Sequence, residues 1–370
     1  MNNPFNTSVY LHRTTERKAD TRGDFFRDQT AIIHSMPFRR LKHKTQVFYA
    51  PENDHVCTRI EHVLHVATIA ATICKGLNSK GWNLDIEMAY AIGLGHDLGH
   101  APFGHTGEEA LNKILGGDNA FVHEINSYRV VEYLANNGSG LNLTFGVKDG
   151  IICHNGEKFE QYLKPSPKLN KLDEIKTRTF LPNSFEGCIM RFSDKIAYLG
   201  RDIEDAIKAG FIELKDVPEK VKSELGTSNG EIINKLIIDI IEHSKDSDLI
   251  GLSDEKYELI NELKKFNYKH IYGNDKLKDY NIYCLKIINT IFEYLFELYQ
   301  KNGIEFQKYT DGKIKLDLSF GSFVEKMQEY YLKTNASEKQ IITDYISGMT
   351  DLYALDCMKQ ITLPKPLEFF

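Results

Sequence analysis

The sequence has no CxxC pair, no excess of basic charge and no long apolar run free of acids. Its six cysteines, at 57, 74, 153, 188, 284 and 357, are widely scattered. That excludes a zinc ribbon or a disulfide frame and fits buried thiols in a reducing compartment. A formal net charge of -6 argues against a general nucleic-acid coat and leaves room only for local basic patches. The opening segment MNNPFNTSVYLHRTTERK lacks the apolar core of a signal peptide. The longest apolar stretches, such as INTIFEYLFELY, carry acids and suit a buried helix better than a membrane span. A cytoplasmic protein without membrane association is expected. Internal repeats and low-complexity tracts are also absent, and strand signals are few, with TFGVKDGIIC and GKIKLDLSF the best candidates. Histidine is scarce in the later part of the chain: eleven of 13 lie within the first 154 residues. A metal or proton-transfer site therefore draws mainly on the N-terminal half.

What is present is helical periodicity, in a 370-residue chain that is 42% hydrophobic and 26% charged, a composition suited to a large globular core. Residues 61–75 place Val63, Val66, Ala67, Ala70 and Ile73 at three-and-four spacing. Residues 85–97 repeat the pattern and stop at Gly99 and Pro102. A third helix is expected near Thr106, where Glu109 completes a capping-box pattern. Further helices are expected at 121–136, 185–208, 231–244, 254–269, 276–301 and 338–360. The segment 138–184 reads as loop-rich, and LKDVPEKVKSELGTSNGE (214–231) as a break. The fold class is mainly α with few short strands. A catalytic core with its N-terminal segment spans 1–210 and a C-terminal helical region 211–370, unless the two form one continuous domain.

The chemistry concentrates in LGHDLGHAPFGHTGEE (94–109). His96 and His100 have the four-residue spacing of a zinc-gripping helix face, while His96 with Asp97 makes a different metal pair. Gly99 and Pro102 disfavour a regular helix through both histidines. His62 on the preceding helix and Asp194 in RFSDKIAYLGRD can complete a two-histidine, two-aspartate set. Such mixed ligands with open positions suit iron, manganese or a related divalent ion more than structural zinc. Each residue also has an ordinary reading. His65 is a packed histidine, Tyr198 core, Asp202 a surface charge, and Glu108 an acid favoured in a first helical turn. The basic run FRRLKHK reads equally well as a solvated face. His154 in ICHNGE can touch a ligand or only water.

The order H…HD…D resembles the HD superfamily of metal-dependent phosphohydrolases. More narrowly, the chain is similar to its dGTPase-like members, the deoxynucleoside triphosphate triphosphohydrolases. The resemblance is carried by RDQTAIIHSMPFRRLKHKTQVF (27–48), TRIEHVLHVATIA (58–70), GLGHDLGHAPFGHTGEEAL (93–111), FVHEINSYRVV (121–131), FEGCIMRFSDKIAYLGRDIEDA (185–206) and DYISGMTDLYAL (344–355). It covers about 13–210 and 338–358 well and 211–337 only loosely. It implies an HD-domain helical core and hydrolysis of a dNTP to deoxynucleoside and intact triphosphate, by water attack at the α-phosphorus.

The resemblance also implies residue roles. His62, His96, Asp97 and Asp194 are the metal ligands, for manganese, iron or magnesium, with manganese favoured in the active form. His105 is the active-site histidine, paired with Glu108. His100 and His123 line the triphosphate, with His123 counted in the catalytic group. Arg59 and Lys195 contact phosphate, and Gln46, Tyr198 and Asp202 surround the deoxyribose. The spacing is compatible with these roles. Arg59 is one helical turn from His62, Lys195 adjoins Asp194, and Asp194, Tyr198 and Asp202 fall four apart on one stripe. Arg39 and Arg40 lie where relatives contact nucleotide or a neighbouring subunit. The family further implies a homo-oligomer (a hexamer or other multiple of a dimer) and a second dNTP as allosteric effector. Single-stranded DNA binding occurs among relatives but has no clear mark here. One departure is Leu352, at a position where the family often has arginine. Other readings are an HD phosphohydrolase for another nucleotide, such as a 5′-nucleotidase or alarmone hydrolase, and a non-catalytic nucleotide sensor.

Overall fold

A computed structural model describes residues 1–47, 57–155, 158, 160–311 and 314–363. Within these, helices dominate, and Tyr162–Leu163 and Ile250–Gly251 form one short antiparallel pair of strands. Phe48 of the 27–48 motif, and Gly312 and Lys313 of GKIKLDLSF, lie outside the described residues.

The helix Arg59–Asn78 is the centre of the first core. It buries Val63, Val66, Ala67, Ala70 and Ile73, as its period requires, and each buried aliphatic side chain of this kind contributes roughly 1.5–3 kcal/mol. At its start, the Thr58 N–H donates to the Glu61 carboxylate at 2.8 Å, satisfying a backbone donor that would otherwise lack a partner. Helices Ile86–Gly95 and Phe185–Lys208 pack against it. At the first crossing a Cβ on Gly93 would lie 2.5 Å from the Ala67 Cα. Only glycine permits that approach, and it brings the end of one helix, at His96, beside His62 of the other. Arg59–Asn78 is also the one described helix long and apolar enough to cross a membrane. Half of that apolar window is buried by this packing.

Both expected strands are helices. TFGVKDGIIC becomes Phe145–Ile152, in which every residue after Phe145 is buried. A helix enclosed on all sides has no polar face, so its sequence carries no amphipathic period. In IKLDLSF a brief alternation imitates a strand. The helix Lys315–Thr334 instead follows the longer spacing of Leu316, Phe320, Val324, Met327 and Tyr331, all buried. The stretch expected as one helix over 338–360 is two, Glu338–Ser347 and Asp351–Thr362. The second is capped by Thr350, whose side chain accepts from the Tyr353 N–H. The helix expected near Thr106 is Gly104–Leu115, with left-handed Phe103 at its cap. Glu109 makes no capping box there but pairs with exposed Lys113. The 121–136 stretch is helical from His123 and changes to wider π winding over Val130–Leu134.

Apolar side chains between Ile212 and Ile271 share the first core with the N-terminal helices. Those from Cys284 to Cys357 form a second core, joined by Ala110 and Leu111 of the Gly104–Leu115 helix. The site lies where these two cores meet.

Candidate active site

His62 and His96 come from two neighbouring helices, Asp97 follows His96 directly, and Asp194 projects from Phe185–Lys208. His62 Nε2 lies 3.0 Å from Asp194 Oδ1, and His96 Nε2 lies 3.7 Å from the same oxygen and 3.6 Å from Asp97 Oδ1. His96 Nδ1 must donate to the Gly93 carbonyl, at 2.7 Å, because a carbonyl only accepts. Its Nε2 therefore presents a lone pair, and that atom is buried without a hydrogen-bond partner. Burial holds His96 below its ordinary pKa, in the neutral form that binds metal. Burial opposes ionisation of Asp194, yet the His62 hydrogen bond and the neighbouring His96 imidazole hold its carboxyl down at about 2. Asp97 is likewise buried, but His96, Arg59 and His100 keep it well below the usual carboxylate range. Two nitrogens and two carboxylates converge, one nitrogen unsatisfied, and this donor set fits a divalent ion.

Arg59 Nη1 donates to Asp97 Oδ2 at 2.5 Å, while its buried Nε and Nη2 have no hydrogen-bond partner. A buried guanidinium with spare donors suits an anionic ligand. Gly104, at φ +61, would place a Cβ 3.1 Å from Arg59 Nη2, so glycine both permits the left-handed turn and leaves that group room. The turn starts the helix that carries His105 and Glu108.

His100, His105 and His123 form a second imidazole group. His100 and His123 stack at 4.2 Å, and His105 is edge-on to both, at 5.3 and 5.9 Å. His105 is exposed and lines the cavity. Glu108 Oε2 lies 2.8 Å from His123 Nδ1, and Arg178 Nη2 donates to Glu108 Oε1 at 2.7 Å. Arg178 also donates to Glu124. Glu108, which the sequence assigned to His105, thus has both oxygens engaged by His123 and Arg178. Burial disfavours charge on both Glu108 and His123, but the Glu124 and Glu108 carboxylates outweigh it at His123, and His123, with His105 and Arg178, outweighs it at Glu108. Glu108 falls to about 2 and His123 rises to about 9.

A cavity of about 370 Å³ runs from Asp97 and Asp194 past His100, His105 and His123, within the range of small-molecule sites. Gln46, Tyr198 and Asp202 line it too, so those assigned residues meet in one space. Gln46 Oε1 is buried without a partner. Lys195 is not among the lining residues; its Nζ lies 3.3 Å from Glu160 Oε2. Sequence reasoning missed the far wall, made by Tyr268, Tyr272, Leu277, Tyr280 and Asn281. The Tyr272 hydroxyl donates to Asp202, and burial raises Asp202 to about 7. Tyr268–Tyr272 adopt π winding, frequent at functional sites, which leaves no periodic signal in the sequence.

The basic run also had a hidden role. Arg39 is exposed, whereas Arg40 Nη1 donates to the Gly348 carbonyl at 3.0 Å. Lys44 is buried and donates to the carbonyls of His100 and Ser347. Asp351 accepts from the Thr45 N–H at 2.8 Å and the Phe103 N–H at 2.9 Å. The DYISGMTD segment thereby ties the strand-like approach to Gln46 onto the loop preceding His105. Leu352 beside it is exposed.

The family described as HD domain matches residues 59–198, and that described as phosphohydrolase-associated domain matches 250–360. The chain belongs to the HD-domain proteins of the dGTPase-like family. It is 39% identical over 352 residues to a deoxyguanosinetriphosphate triphosphohydrolase-like protein of Caldanaerobacter subterraneus subsp. tengcongensis, covering 95% of this chain and 88% of the relative. A similarly described protein of Clostridium tetani is 36% identical, with 95% and 88% covered. One from Rickettsia typhi is 31% identical, with 93% of each chain covered.

Proposed function

We propose that this HD-domain hydrolase cleaves a 2′-deoxynucleoside 5′-triphosphate to the deoxynucleoside and inorganic triphosphate. The observation that carries the reading is the single cavity joining the His/Asp ligand group, the three-histidine group and the tyrosine wall. The relatives' descriptions as deoxyguanosinetriphosphate triphosphohydrolase-like point the same way.

In this reading His62, His96, Asp97 and Asp194 hold a divalent ion, with manganese favoured. The ion supplies Lewis-acid polarisation of phosphoryl oxygen and lowers the pKa of water. Phosphoryl transfer depends mainly on positioning and on positive charge around the phosphate oxygens. Arg59, with its spare donors, and protonated His123 supply that charge, and His100 lines the same region. A water oxygen bonds to the α-phosphorus, the bond to the 5′-oxygen breaks, and its electron pair stays on that oxygen. His105, exposed to the cavity, delivers the proton that completes the deoxynucleoside, while Glu108 holds His123 in place. Gln46, Tyr198, Asp202 and Tyr272 enclose the sugar. Assembly as a multiple of a dimer, regulation by a second dNTP and a cytoplasmic location belong to the same proposal.

Incubating the manganese-loaded protein with each dNTP and separating the products tests it. Deoxynucleoside plus triphosphate is expected; monophosphate plus pyrophosphate, or stepwise loss of single phosphates, overturns it.

A further inference from the structure

Arg178 lies in the loop between the short helix Leu172–Glu174 and Phe185–Lys208, outside the helices that carry Glu108 and His123. It is not among the residues lining the cavity, yet its guanidinium spans two buried carboxylates. Nη2 donates to Glu108 Oε1 at 2.7 Å, and Nε donates to Glu124 at 3.0 Å. The backbone around it is fixed from two directions. Asn155 Nδ2 donates to the Arg178 carbonyl at 3.0 Å, and Arg191 Nη2, from Phe185–Lys208, donates to the Phe180 carbonyl at 2.7 Å. A planar guanidinium held from behind bridges two acids at once, which a lysine ammonium on its flexible stem does less well.

The two acids compete for one nitrogen. His123 Nδ1 lies 2.8 Å from Glu108 Oε2 and 3.4 Å from Glu124 Oε2. Both carboxylates are buried, with side chains 7% and 2% exposed. Left facing each other in so dry a place, they would share a proton or divide the imidazole between them. Arg178 removes that competition. It takes Glu124 through Nε, while its Nη2 holds one oxygen of Glu108 so that the other meets His123. With His123 protonated, two cations meet two anions, and the buried group carries no net charge. We propose that Arg178 is a positioning residue for the hydrolysis: by occupying Glu124 it commits His123 to Glu108 and holds the imidazole on the phosphate side of the cavity. This rests on the reading of His123 as a phosphate contact and adds the group that keeps it there.

The test is steady-state dNTP hydrolysis by the manganese-loaded full-length protein, by Arg178→Ala, by Arg178→Lys, and by a double variant that adds Glu124→Gln to Arg178→Ala. Arg178→Ala should lower kcat by about 10–100-fold, the usual cost of losing a partner behind a metal-site residue, with KM little changed. Arg178→Lys should recover part of the loss. Removing the competing acid should recover most of it, so the double variant is expected to exceed Arg178→Ala. A merely structural arginine gives the reverse, because a second buried change deepens the damage. The low-field Nδ1–H proton of His123 in the NMR spectrum, assigned by its absence from His123→Gln, reads the Glu108 bond without metal or nucleotide. It should be lost in Arg178→Ala and return when Glu124→Gln is added. Wild-type kcat in Arg178→Ala, or a double variant no more active than Arg178→Ala, overturns the positioning role. If wild type turns over no dNTP, the proposed function fails, and the proton signal alone decides whether Arg178 commits His123 to Glu108. Should Arg178→Ala fail to fold, a folded double variant that keeps the proton signal sustains the proposal, and one without it overturns it.

Discussion

Glu108 Oε2 lies 2.8 Å from His123 Nδ1, and Arg178 closes on the other carboxylate oxygen. The acid three residues after His105 in sequence therefore charges and orients His123 in space. Glu108→Gln should lower kcat by about 10²–10³-fold, the range for losing one oriented group that stabilises transition-state charge, while leaving KM comparatively unchanged. Steady-state kinetics across the pH range checks this.

The same pair makes stability depend on pH. Glu108 is depressed from 4.5 to about 2, so its contribution is present above pH 4.5 and is lost as pH falls through 2. His123 is raised from 6.5 to about 9, so its contribution is complete below pH 6.5 and is lost as pH rises through 9. In metal-free protein, the excess stability of wild type over Glu108→Gln should be greatest between pH 4.5 and 6.5 and decline toward pH 9. Urea melts at a series of pH values measure it. A difference independent of pH would contradict the buried ion pair.

Asp202 behaves with the opposite sign. Burial raises its carboxyl from 3.8 to about 7, so the folded protein holds a proton the unfolded chain has released. Its contribution to stability falls as pH rises from 3.8 through 7. Asp202→Asn should therefore gain stability relative to wild type between pH 5 and 8, while KM for the nucleotide rises about tenfold through loss of one polar contact. Thermal melts at both pH values, with KM determined alongside, separate the two effects.

Asp351 holds the Thr45 and Phe103 N–H groups, and through them the chain beside Gln46 and the start of the His105 helix. Asp351→Ala leaves both donors without that acceptor, and should cost about 1–3 kcal/mol of stability. It should also lower kcat/KM with metal content unchanged. Denaturant melts and metal analysis on one preparation distinguish this positioning role from loss of the ion.

Much of the site was legible because its residues sit in short, chemically crowded runs. Adjacent His96 and Asp97, with His62 and Asp194, were read from the residues themselves, whereas Arg59, Tyr198 and Asp202 were picked out by the family resemblance; the cavity lining brings most of them together. What stayed hidden depends on tertiary contact. Glu108 is three residues from His105, yet a fifteen-residue excursion delivers His123 to it. Lys44 read as one more solvated base, but its ammonium is consumed by two carbonyls, one of them 303 residues away. Tyr268 and Tyr272 come from a stretch with little motif character, and their π winding is not encoded in any simple period. Helices were misread as strands where the pattern was degenerate, in a helix buried all round and in a seven-residue alternation at the start of a longer helix; the break within 338–360 rests on the Thr350 cap.

The most direct test of the central claim is hydrolysis of a dNTP in H₂¹⁸O by the manganese-loaded protein, with both products analysed by mass spectrometry. Water attack at the α-phosphorus predicts one ¹⁸O in the released triphosphate and none in the deoxynucleoside. Label in the deoxynucleoside, or release of pyrophosphate in place of triphosphate, would contradict it.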